Sequence, residues 1–338
     1  MRAMVLEASN TLAEAEVKRP APGPGEALVR VTHSGLCGTD LKIFNGGIEV
    51  AHPLIMGHEL IGELVEGEGA GGAVTGGRVI IDTALYCGTC FHCRAGLTNI
   101  CPEGGLLGRD KDGGFAEFAV APSANIHPLP DTVADDEAPL IQVLTTCLHA
   151  HRLADIFPGE SVAVIGLGVT GLLHLQLAKA RGASPLIGIT RSAWKRELAG
   201  ELGADLTLEP GPDTMEKVRQ ATGGRGADVV IESAGGIQQF AEALEMVRGG
   251  GRVVPFGIYT AKEGALPFYQ LYFKEIQVIG ARASKGEDYV ASIDLVESGQ
   301  IRLKPLISHV KPLGELADAL AMLADGGAKR MKIILDHG

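Results

Sequence analysis

The chain has 338 residues, 46% of them hydrophobic, and a formal net charge of −11. This length and apolar content exclude a disordered protein and suffice for two domains, and the net negative charge excludes an overall basic surface for nucleic acid or anionic lipid. Because no uninterrupted apolar run reaches the length of a membrane span, we expect a soluble, cytoplasmic protein that binds neither nucleic acid nor membrane.

The first part of the chain, residues 1–144, is predicted to form a β-rich domain. Short β-branched runs such as EALVRVTHSG, GRVIIDT and FAEFAVAP are separated by turn signals rich in Gly and Pro. This pattern is typical of an antiparallel or barrel-like β domain. The motifs CGTD at 37–40 and GHELIG at 57–62 also lie here. One Cys and one His do not define a site by themselves, since buried Cys and core His residues are common.

Four of the six cysteines fall in the single stretch CGTCFHCRAGLTNIC. Such a cluster is compatible with disulfides, a redox pair, an iron–sulfur site or a zinc site. A chain without a secretory signal is expected in a reducing compartment, where disulfides are rare. The sequence therefore favours a metal site over disulfides, with the ligands Cys87, Cys90, Cys93 and Cys101.

From about residue 145 the chain alternates between apolar strands and helices, which indicates a doubly wound parallel sheet. An apolar strand at 161–165 leads into Gly166, Gly168 and Gly171 in G-x-G-x-x-G spacing. Glycines at these places allow a tight turn, close approach of the backbone to a pyrophosphate and packing of helix on strand. We therefore predict a dinucleotide site here rather than a structural turn, with Val169 and Thr170 at the start of its helix.

The end of the second strand in this region indicates which dinucleotide binds. An NAD site usually has an Asp or Glu there, which accepts a hydrogen bond from the ribose 2′-hydroxyl. This chain has Thr190, Arg191 and Ser192 instead. Loss of the carboxylate removes repulsion toward a 2′-phosphate, and a guanidinium between two hydroxyls can bind it. The sequence thus favours NADP, with NAD as the alternative if Arg191 is only a solvated surface residue.

After about residue 283 the chain has two amphipathic helices, in GEDYVASIDLVESG and ELADALAMLADG, and ends in a strand-like RMKIILD. We assign residues 145–282 to the nucleotide-binding domain. The catalytic, zinc-binding domain is expected to combine residues 1–144 with residues 283–338.

Taken together, CGTD, GHELIG, the cysteine cluster and the glycine motif resemble those of the zinc-dependent alcohol dehydrogenases of the medium-chain dehydrogenase/reductase family. This family includes sorbitol, threonine and sugar dehydrogenases. GGFAEF at 113–118 and LISH at 306–309 extend the resemblance over essentially the whole chain. It implies an α/β protein with a β-rich GroES-like catalytic domain and a Rossmann domain, and a homodimer or homotetramer is expected.

The resemblance also implies two zinc ions per chain. The four clustered cysteines match the ligands of a structural zinc, which four thiolates enclose without an open position for substrate. Iron–sulfur ligation uses related spacings and remains the alternative. A catalytic zinc is expected at Cys37 and His58, and alignment with the family pattern places Gln142 at the third ligand position, where the family usually has Cys or Glu. Other candidates for that ligand are Glu59, Cys147 and His149, with Glu59 the best substitute.

Further roles are carried over from the family one residue at a time. Thr39 matches the hydroxyl that takes the alcohol proton, and Asp40 matches the carboxylate that orients the histidine ligand. Lys42 stands where the family often ends its proton relay with a His, so Lys42 either relays the proton or is only solvated. Lys332 stands where the family often places a base near the pyrophosphate, or it is a plain surface residue.

The predicted activity is reversible hydride transfer between a secondary alcohol, polyol or sugar and NADP. Zinc would act as a Lewis acid toward the substrate oxygen, and Thr39 would accept its proton. Two other functions fit the same fold: a zinc-free reductase of an activated C=C bond or quinone, and a non-catalytic nucleotide-binding protein.

Overall fold

The computed structural model describes residues 1–261, 263–327 and 329–338. They form two compact units. The first comprises Met1–Thr145, Ala283–Glu297 and Leu303–Gly338, and the second comprises Thr146–Arg282 and Ser298–Arg302. Within the described residues, no helix has the length and apolarity that crossing a membrane requires.

Strands outnumber helices among the regular elements of the first 145 residues. The strands are β1 (Arg2–Ala8), β2 (Thr11–Glu16), β3 (Glu26–Leu36), β4 (Leu54–Ile55), β5 (Leu60–Glu66), β6 (Arg78–Ile81), β7 (Ala84–Leu85), β8 (Gly105–Leu106), β9 (Phe118–Pro122) and β10 (Ile126–Pro128). The helices are α1 (Gly38–Phe44), α2 (Phe91–Arg94) and α3 (Leu140–Ala154), the last of which continues beyond residue 145.

Strands and helices alternate over the next part of the chain. The strands are β11 (Val162–Ile165), β12 (Leu186–Ile189), β13 (Leu206–Leu208), β14 (Ala227–Glu232), β15 (Val247–Pro255) and β16 (Gln277–Val278). The helices are α4 (Val169–Ala180), α5 (Ala193–Glu201), α6 (Thr214–Ala221), α7 (Ile237–Met246) and α8 (Phe268–Phe273). The chain then forms α9 (Gly286–Glu297), β17 (Ile307–Pro312), α10 (Leu316–Ala324) and β18 (Lys332–Asp336).

The first unit is built around a seven-stranded sheet. Its strands follow the order β10-β6-β5-β3-β18-β17, and β9 also pairs with β3. Strand β3 is the centre, since it pairs antiparallel with β5, β9 and β18. Alternating side chains of β3 and β5, among them Val29, Val31 and Leu64, bury an apolar core. The predicted β-rich domain is therefore confirmed, and its last strand comes from the C-terminal end of the chain.

The second unit contains a six-stranded sheet in the order β13-β12-β11-β14-β15-β16. Every neighbouring pair is parallel. This order confirms the predicted doubly wound sheet, in which the strand order reverses between β11 and β14. The strands carry continuous apolar runs, VAVI in β11 and LIGI in β12, because helices cover both faces of such a sheet.

A short segment after α9, Ser298–Arg302, belongs to the second unit. Gln176 of α4 holds it there through both ends of its amide group. The Arg302 backbone N–H donates to Gln176 Oε1 at 2.8 Å, and Gln176 Nε2 donates to the Arg302 carbonyl at 3.2 Å. Because Gln176 is buried, these two hydrogen bonds are shielded from water.

Candidate active site

A cluster of potential metal ligands forms where β3 ends and β5 begins. One ligand atom from each of Cys37, His58 and Glu59 lies within 4.8 Å of the others. Cys37 follows β3 directly, and His58 and Glu59 directly precede β5. Pairing of Ser34 with Leu60 in the sheet therefore brings the two ends together. Thiolate, imidazole and carboxylate are the three ligand types that zinc prefers in proteins.

Asp40 connects two members of this cluster. Its Oδ2 accepts a hydrogen bond of 2.8 Å from the Cys37 backbone N–H, which also caps the start of α1. Its Oδ1 lies 3.2 Å from His58 Nδ1. Among the described residues neither atom has a hydrogen-bond partner, so the contact is electrostatic rather than an aligned hydrogen bond. The carboxylate nevertheless faces the imidazole at contact distance, so that His58 Nε2 is the ring atom left to bind a metal.

The electrostatics of the cluster favour a cation. Burial lowers the pKa of His58, but the Asp40 carboxylate and the Cys37 side chain raise it by more, so it lies well above its ordinary value. Buried acidic groups around an imidazole are what a divalent cation would satisfy, and the donor set therefore fits zinc.

Glu59 has a second partner besides the potential metal site. The Lys332 ammonium lies 2.7 and 2.6 Å from the two Glu59 carboxylate oxygens and 3.2 Å from the Leu36 carbonyl. Both side chains are buried, with 5% exposure for Lys332 and 0% for Glu59. Lys332 is therefore not a surface residue. Burial lowers its pKa, but the negative charge of Glu59 raises it by more, so that it remains charged.

The other predicted residues of this site are carried by helices α1 and α3. Thr39 and Lys42 are half-buried on α1. Gln142 is half-buried in the first turn of α3, where its carbonyl accepts a hydrogen bond from the Thr145 hydroxyl. Cys147 belongs to the second unit, and its thiol faces the Thr170 carbonyl at 3.8 Å. His149, also in that unit, is buried.

The four clustered cysteines come together around α2. Their sulfur atoms all lie within 4.8 Å of one another, and three of the pairs are 3.7, 3.8 and 4.0 Å apart. Zinc–sulfur bonds of ~2.3 Å in a tetrahedron place the sulfurs ~3.8 Å apart. All four cysteines are free of disulfides. The arrangement therefore matches a closed four-thiolate metal site; its residues are Cys87, Cys90, Cys93 and Cys101.

Backbone N–H groups support negative charge on these sulfurs. The Cys90 N–H donates to Cys87 Sγ at 3.3 Å, and the Cys93 N–H donates to Cys90 Sγ at 3.4 Å. Backbone hydrogen bonds from Thr89 and Cys90 lower the pKa of Cys87 to about 6. Burial and hydrogen bonding to neighbouring thiols raise the pKa of Cys93 to about 12. A bound cation would therefore be needed to hold all four sulfur atoms as thiolates.

The glycine motif forms the turn between β11 and α4. Gly166 has a φ of +89°, which favours glycine. A Cβ on Gly171 would lie 1.9 Å from the Gly166 carbonyl oxygen, so this glycine lets the helix pack on the strand. A Cβ on Gly168, the N-cap of α4, would meet nothing within 4 Å. The open space beside Gly168 fits a pyrophosphate next to the free N–H groups of the helix.

The predicted cofactor-selecting residues lie between β12 and α5. Thr190 and Ser192 are half-buried, Ser192 is the N-cap of α5, and Arg191 is exposed. Arg196 fixes this turn, because its guanidinium donates to the Thr190 carbonyl at 2.7 Å and to the Arg191 carbonyl at 2.9 Å. Sequence reasoning missed Arg196. An Arg one helical turn after an N-cap was the only local signal.

Matches to family models cover both units. Residues 23–131 match the alcohol dehydrogenase GroES-like domain, and residues 169–298 match the zinc-binding dehydrogenase domain. A sorbitol dehydrogenase of Halalkalibacterium halodurans is 32% identical over 341 residues, which is 99% of each chain. An L-threonine 3-dehydrogenase of Pyrococcus abyssi is 35% identical over 329 residues, 95% of this chain and 94% of the relative.

Solved structures agree with these matches. A zinc-binding dehydrogenase from Sinorhizobium meliloti, bound to NADP, has a TM-score of 0.91 at 33% identity and covers 99% of this chain and 98% of its own. An Escherichia coli alcohol dehydrogenase complexed with NADH has a TM-score of 0.92 at 28% identity, with 99% of both chains covered. Fold and sites thus define a zinc-binding oxidoreductase. The chain belongs to the zinc-dependent alcohol dehydrogenases of the medium-chain dehydrogenase/reductase family, as its motifs predicted.

Proposed function

We propose that this protein is an NADP-preferring dehydrogenase that interconverts a secondary alcohol, polyol or sugar and the corresponding carbonyl compound. The observation that carries this proposal is the cluster of Cys37, His58 and Glu59 at the junction of β3 and β5. A zinc-free reductase has no use for such a ligand set. Relatives named sorbitol dehydrogenase and D-arabitol-phosphate dehydrogenase support a polyhydroxylated substrate.

Two zinc ions per chain are proposed, with different tasks. The four-cysteine zinc holds the α2 region, because a closed thiolate site leaves no position for substrate. At the other site Cys37 and His58 are ligands, and Gln142 or Glu59 completes the set. A zinc ion there supplies Lewis-acid chemistry toward an alcohol, and the dinucleotide supplies the hydride acceptor. Asp40 orients His58, to which it is adjacent.

Protein side chains on α1 provide the path for the proton. Thr39 is proposed to accept it from the substrate hydroxyl. Lys42 lies three residues further along the same helix, and residues with this spacing are neighbours on a helix surface. Lys42 is therefore proposed to pass the proton toward solvent. Assembly into a homodimer or homotetramer remains a prediction.

The function is tested by following turnover and metal content together. We expect the zinc-loaded protein to oxidise secondary alcohols, polyols or sugars with NADP. Mild chelation should remove the zinc of Cys37 and His58 first and abolish turnover, because a neutral amide oxygen is a poorer zinc ligand than sulfur. The four-cysteine zinc should stay, and Gln142→Cys should slow the loss.

Four results would contradict parts of this assignment. Simultaneous release of both ions, or unchanged zinc loss in Gln142→Cys, would show that Gln142 does not set the affinity. Full hydride transfer by a protein that has lost the zinc of Cys37 and His58 would instead favour the zinc-free reductase. A protein that binds dinucleotide but turns over no alcohol, polyol or sugar would favour a non-catalytic role.

The cofactor preference is tested at Arg191. If its guanidinium binds the 2′-phosphate, Arg191→Ala should raise the KM for NADP by roughly 10- to 150-fold and leave the KM for NAD nearly unchanged, as expected from a charge-assisted contact of about 1.5–3 kcal/mol. Arg219→Ala, which removes an exposed Arg from α6, is the control. Equal effects on both cofactors, or a native preference for NAD, would show that Arg191 plays no part in the choice.

A further inference from the structure

The turn after β14, residues 233–236, occupies a defined place in the doubly wound sheet. It follows the carboxyl end of β14, the strand adjacent to β11 where the strand order reverses. In open parallel sheets ligands bind outside the carboxyl ends of the strands at this point. We call residues 233–236 the β14 turn. Its sequence is Ser-Ala-Gly-Gly, so the turn has small side chains or none and consists mostly of backbone atoms.

The β14 turn contacts the glycine turn of the nucleotide site directly. A Cβ on Gly166 would lie 2.9 Å from the Ala234 backbone nitrogen. The Ser233 hydroxyl lies 2.7 Å from the hydroxyl of Thr170, in the first turn of α4. The Ser233 backbone N–H also donates a hydrogen bond to the Ile165 carbonyl at 2.8 Å. A displacement of the β14 turn would therefore disturb the start of α4.

Glu232, the last residue of β14, folds its carboxylate back onto this turn. Its Oε1 accepts hydrogen bonds from the backbone N–H groups of Ala234 at 2.7 Å and Gly235 at 3.0 Å. Gly235 has a φ of +79°, so the turn depends on glycine there. The Glu232 side chain is buried, although no lysine or arginine pairs with it among the described residues. Neutral donors therefore satisfy the carboxylate.

Tyr259 supplies the remaining donor from another segment of the chain. Its hydroxyl donates to Glu232 Oε2. Burial and the adjacent carboxylate raise the pKa of the Tyr259 hydroxyl, so it keeps its proton and acts as the donor. The Tyr259 ring packs edge-on against Phe240 of α7, with the ring centroids 6.0 Å apart. Gly257 permits the close approach, since a Cβ there would lie 2.2 Å from the Gly235 nitrogen.

We propose that Glu232 and Tyr259 are positioning residues for dinucleotide binding: together they hold the β14 turn in the one conformation that fits beside Gly166 and the start of α4. Neither residue is proposed to take part in hydride transfer. The inference rests on the proposed use of a nicotinamide dinucleotide. Without the Tyr259 hydroxyl the β14 turn would populate other conformations. The apparent affinity for cofactor would then fall in proportion to the fraction of molecules in which the turn keeps its binding conformation.

The test uses Tyr259→Phe in the zinc-loaded protein, because this change removes only one hydroxyl group. We expect the Kd values for NADPH and NADH, measured by fluorescence titration, both to rise roughly 5- to 30-fold. The kcat at saturating cofactor should stay near that of the parent. Hydrogen exchange at the Ala234 and Gly235 amides should become faster, which a residue important only for global stability would not cause selectively.

Two further variants complete the test. Tyr272→Phe removes a hydroxyl from an exposed Tyr of α8 and should leave Kd and exchange unchanged. Adding Tyr259→Phe to the Glu232→Gln variant should raise the Kd values by a smaller factor than Tyr259→Phe does in the parent, because the two residues act through one contact. Parental Kd values in Tyr259→Phe, or weaker binding with unchanged exchange at 234 and 235, would overturn the proposal.

Failure of the positioning role and failure of the proposed dehydrogenase function would give different results. A parent protein that binds neither NADPH nor NADH would contradict the proposed function and any role of this pair in binding. Unchanged exchange in Tyr259→Phe would contradict the positioning role alone, even if the parent binds and turns over cofactor normally.

Discussion

Replacing Lys332 by Met is expected to lower the free energy of unfolding by about 3–5 kcal/mol, because it leaves the buried Glu59 carboxylate without its cation. The ammonium contacts both carboxylate oxygens, and neither side chain is accessible enough for water to substitute. Met resembles Lys in length and apolar volume. The decrease in the free energy of unfolding therefore reports the missing charge more than a packing defect.

Denaturant unfolding gives this free energy, and it is measured after mild chelation of the Cys37 and His58 site, because a zinc ion beside Glu59 would otherwise replace the charge of Lys332. Lys18→Met, at an exposed lysine, is the matched control and should change it little. The double variant Glu59→Gln, Lys332→Met should recover part of the loss, since no uncompensated charge remains. A single Lys332→Met variant as stable as the parent would show that Lys332 is not the group that neutralises Glu59.

Acid should destabilise the protein through a buried pair of imidazoles in the second unit. His151 Nε2 lies 3.1 Å from His174 Nδ1, and both side chains are fully buried. Burial lowers the pKa of His174 to about 3 and that of His151 well below its ordinary value. The nearby His174 and Arg181 lower the pKa of His151 further. The native protein therefore keeps both rings neutral.

The direction of the pH effect on stability follows from proton binding in the unfolded and native states. Unfolded chains bind these protons near pH 6.5 and native chains do not, so stability falls as the pH drops from about 6.5 toward the native pKa. His174 alone should cost about 2.3 kcal/mol between pH 6.5 and pH 4.5. Free energies of unfolding across this range should fall less steeply in a double variant, His151→Leu, His174→Leu. His52→Leu, at an exposed histidine, is the control. An equally steep fall in the double variant would mean that other groups cause it.

Local patterns were sufficient to predict much of the fold. Strand β11, the glycine turn and helix α4 are adjacent in sequence, and their periodicity and glycine spacing reflect contacts made within a few residues. The cysteine cluster was predictable for the same reason, because Cys87, Cys90 and Cys93 lie in or just before the short helix α2. In the structure the glycine turn joins β11 to α4, and the four cysteine sulfur atoms lie within 4.8 Å of one another.

Contacts between distant segments were not predictable. Glu59 and Lys332 are 273 positions apart, and only the pairing of β18 with β3 brings them together. A lone Lys in a final strand carries no sign of a buried carboxylate partner. The contact between Glu232 and Tyr259 likewise depends on how β14 and the segment after β15 pack. No local sequence pattern links the two members of either pair.

The spacing of the four cysteines has a consequence for handling the protein in air. Sulfur atoms 3.7–4.0 Å apart are close enough for small movements to join them as disulfides, whose S–S bonds are ~2.0 Å long. Cys87, with a pKa of about 6, is largely thiolate at neutral pH and therefore open to oxidation. A metal bound to the cluster thus also protects these thiols from oxidants. Samples stripped of metal aerobically can become cross-linked and then fail to take zinc back until a reductant restores the free thiols.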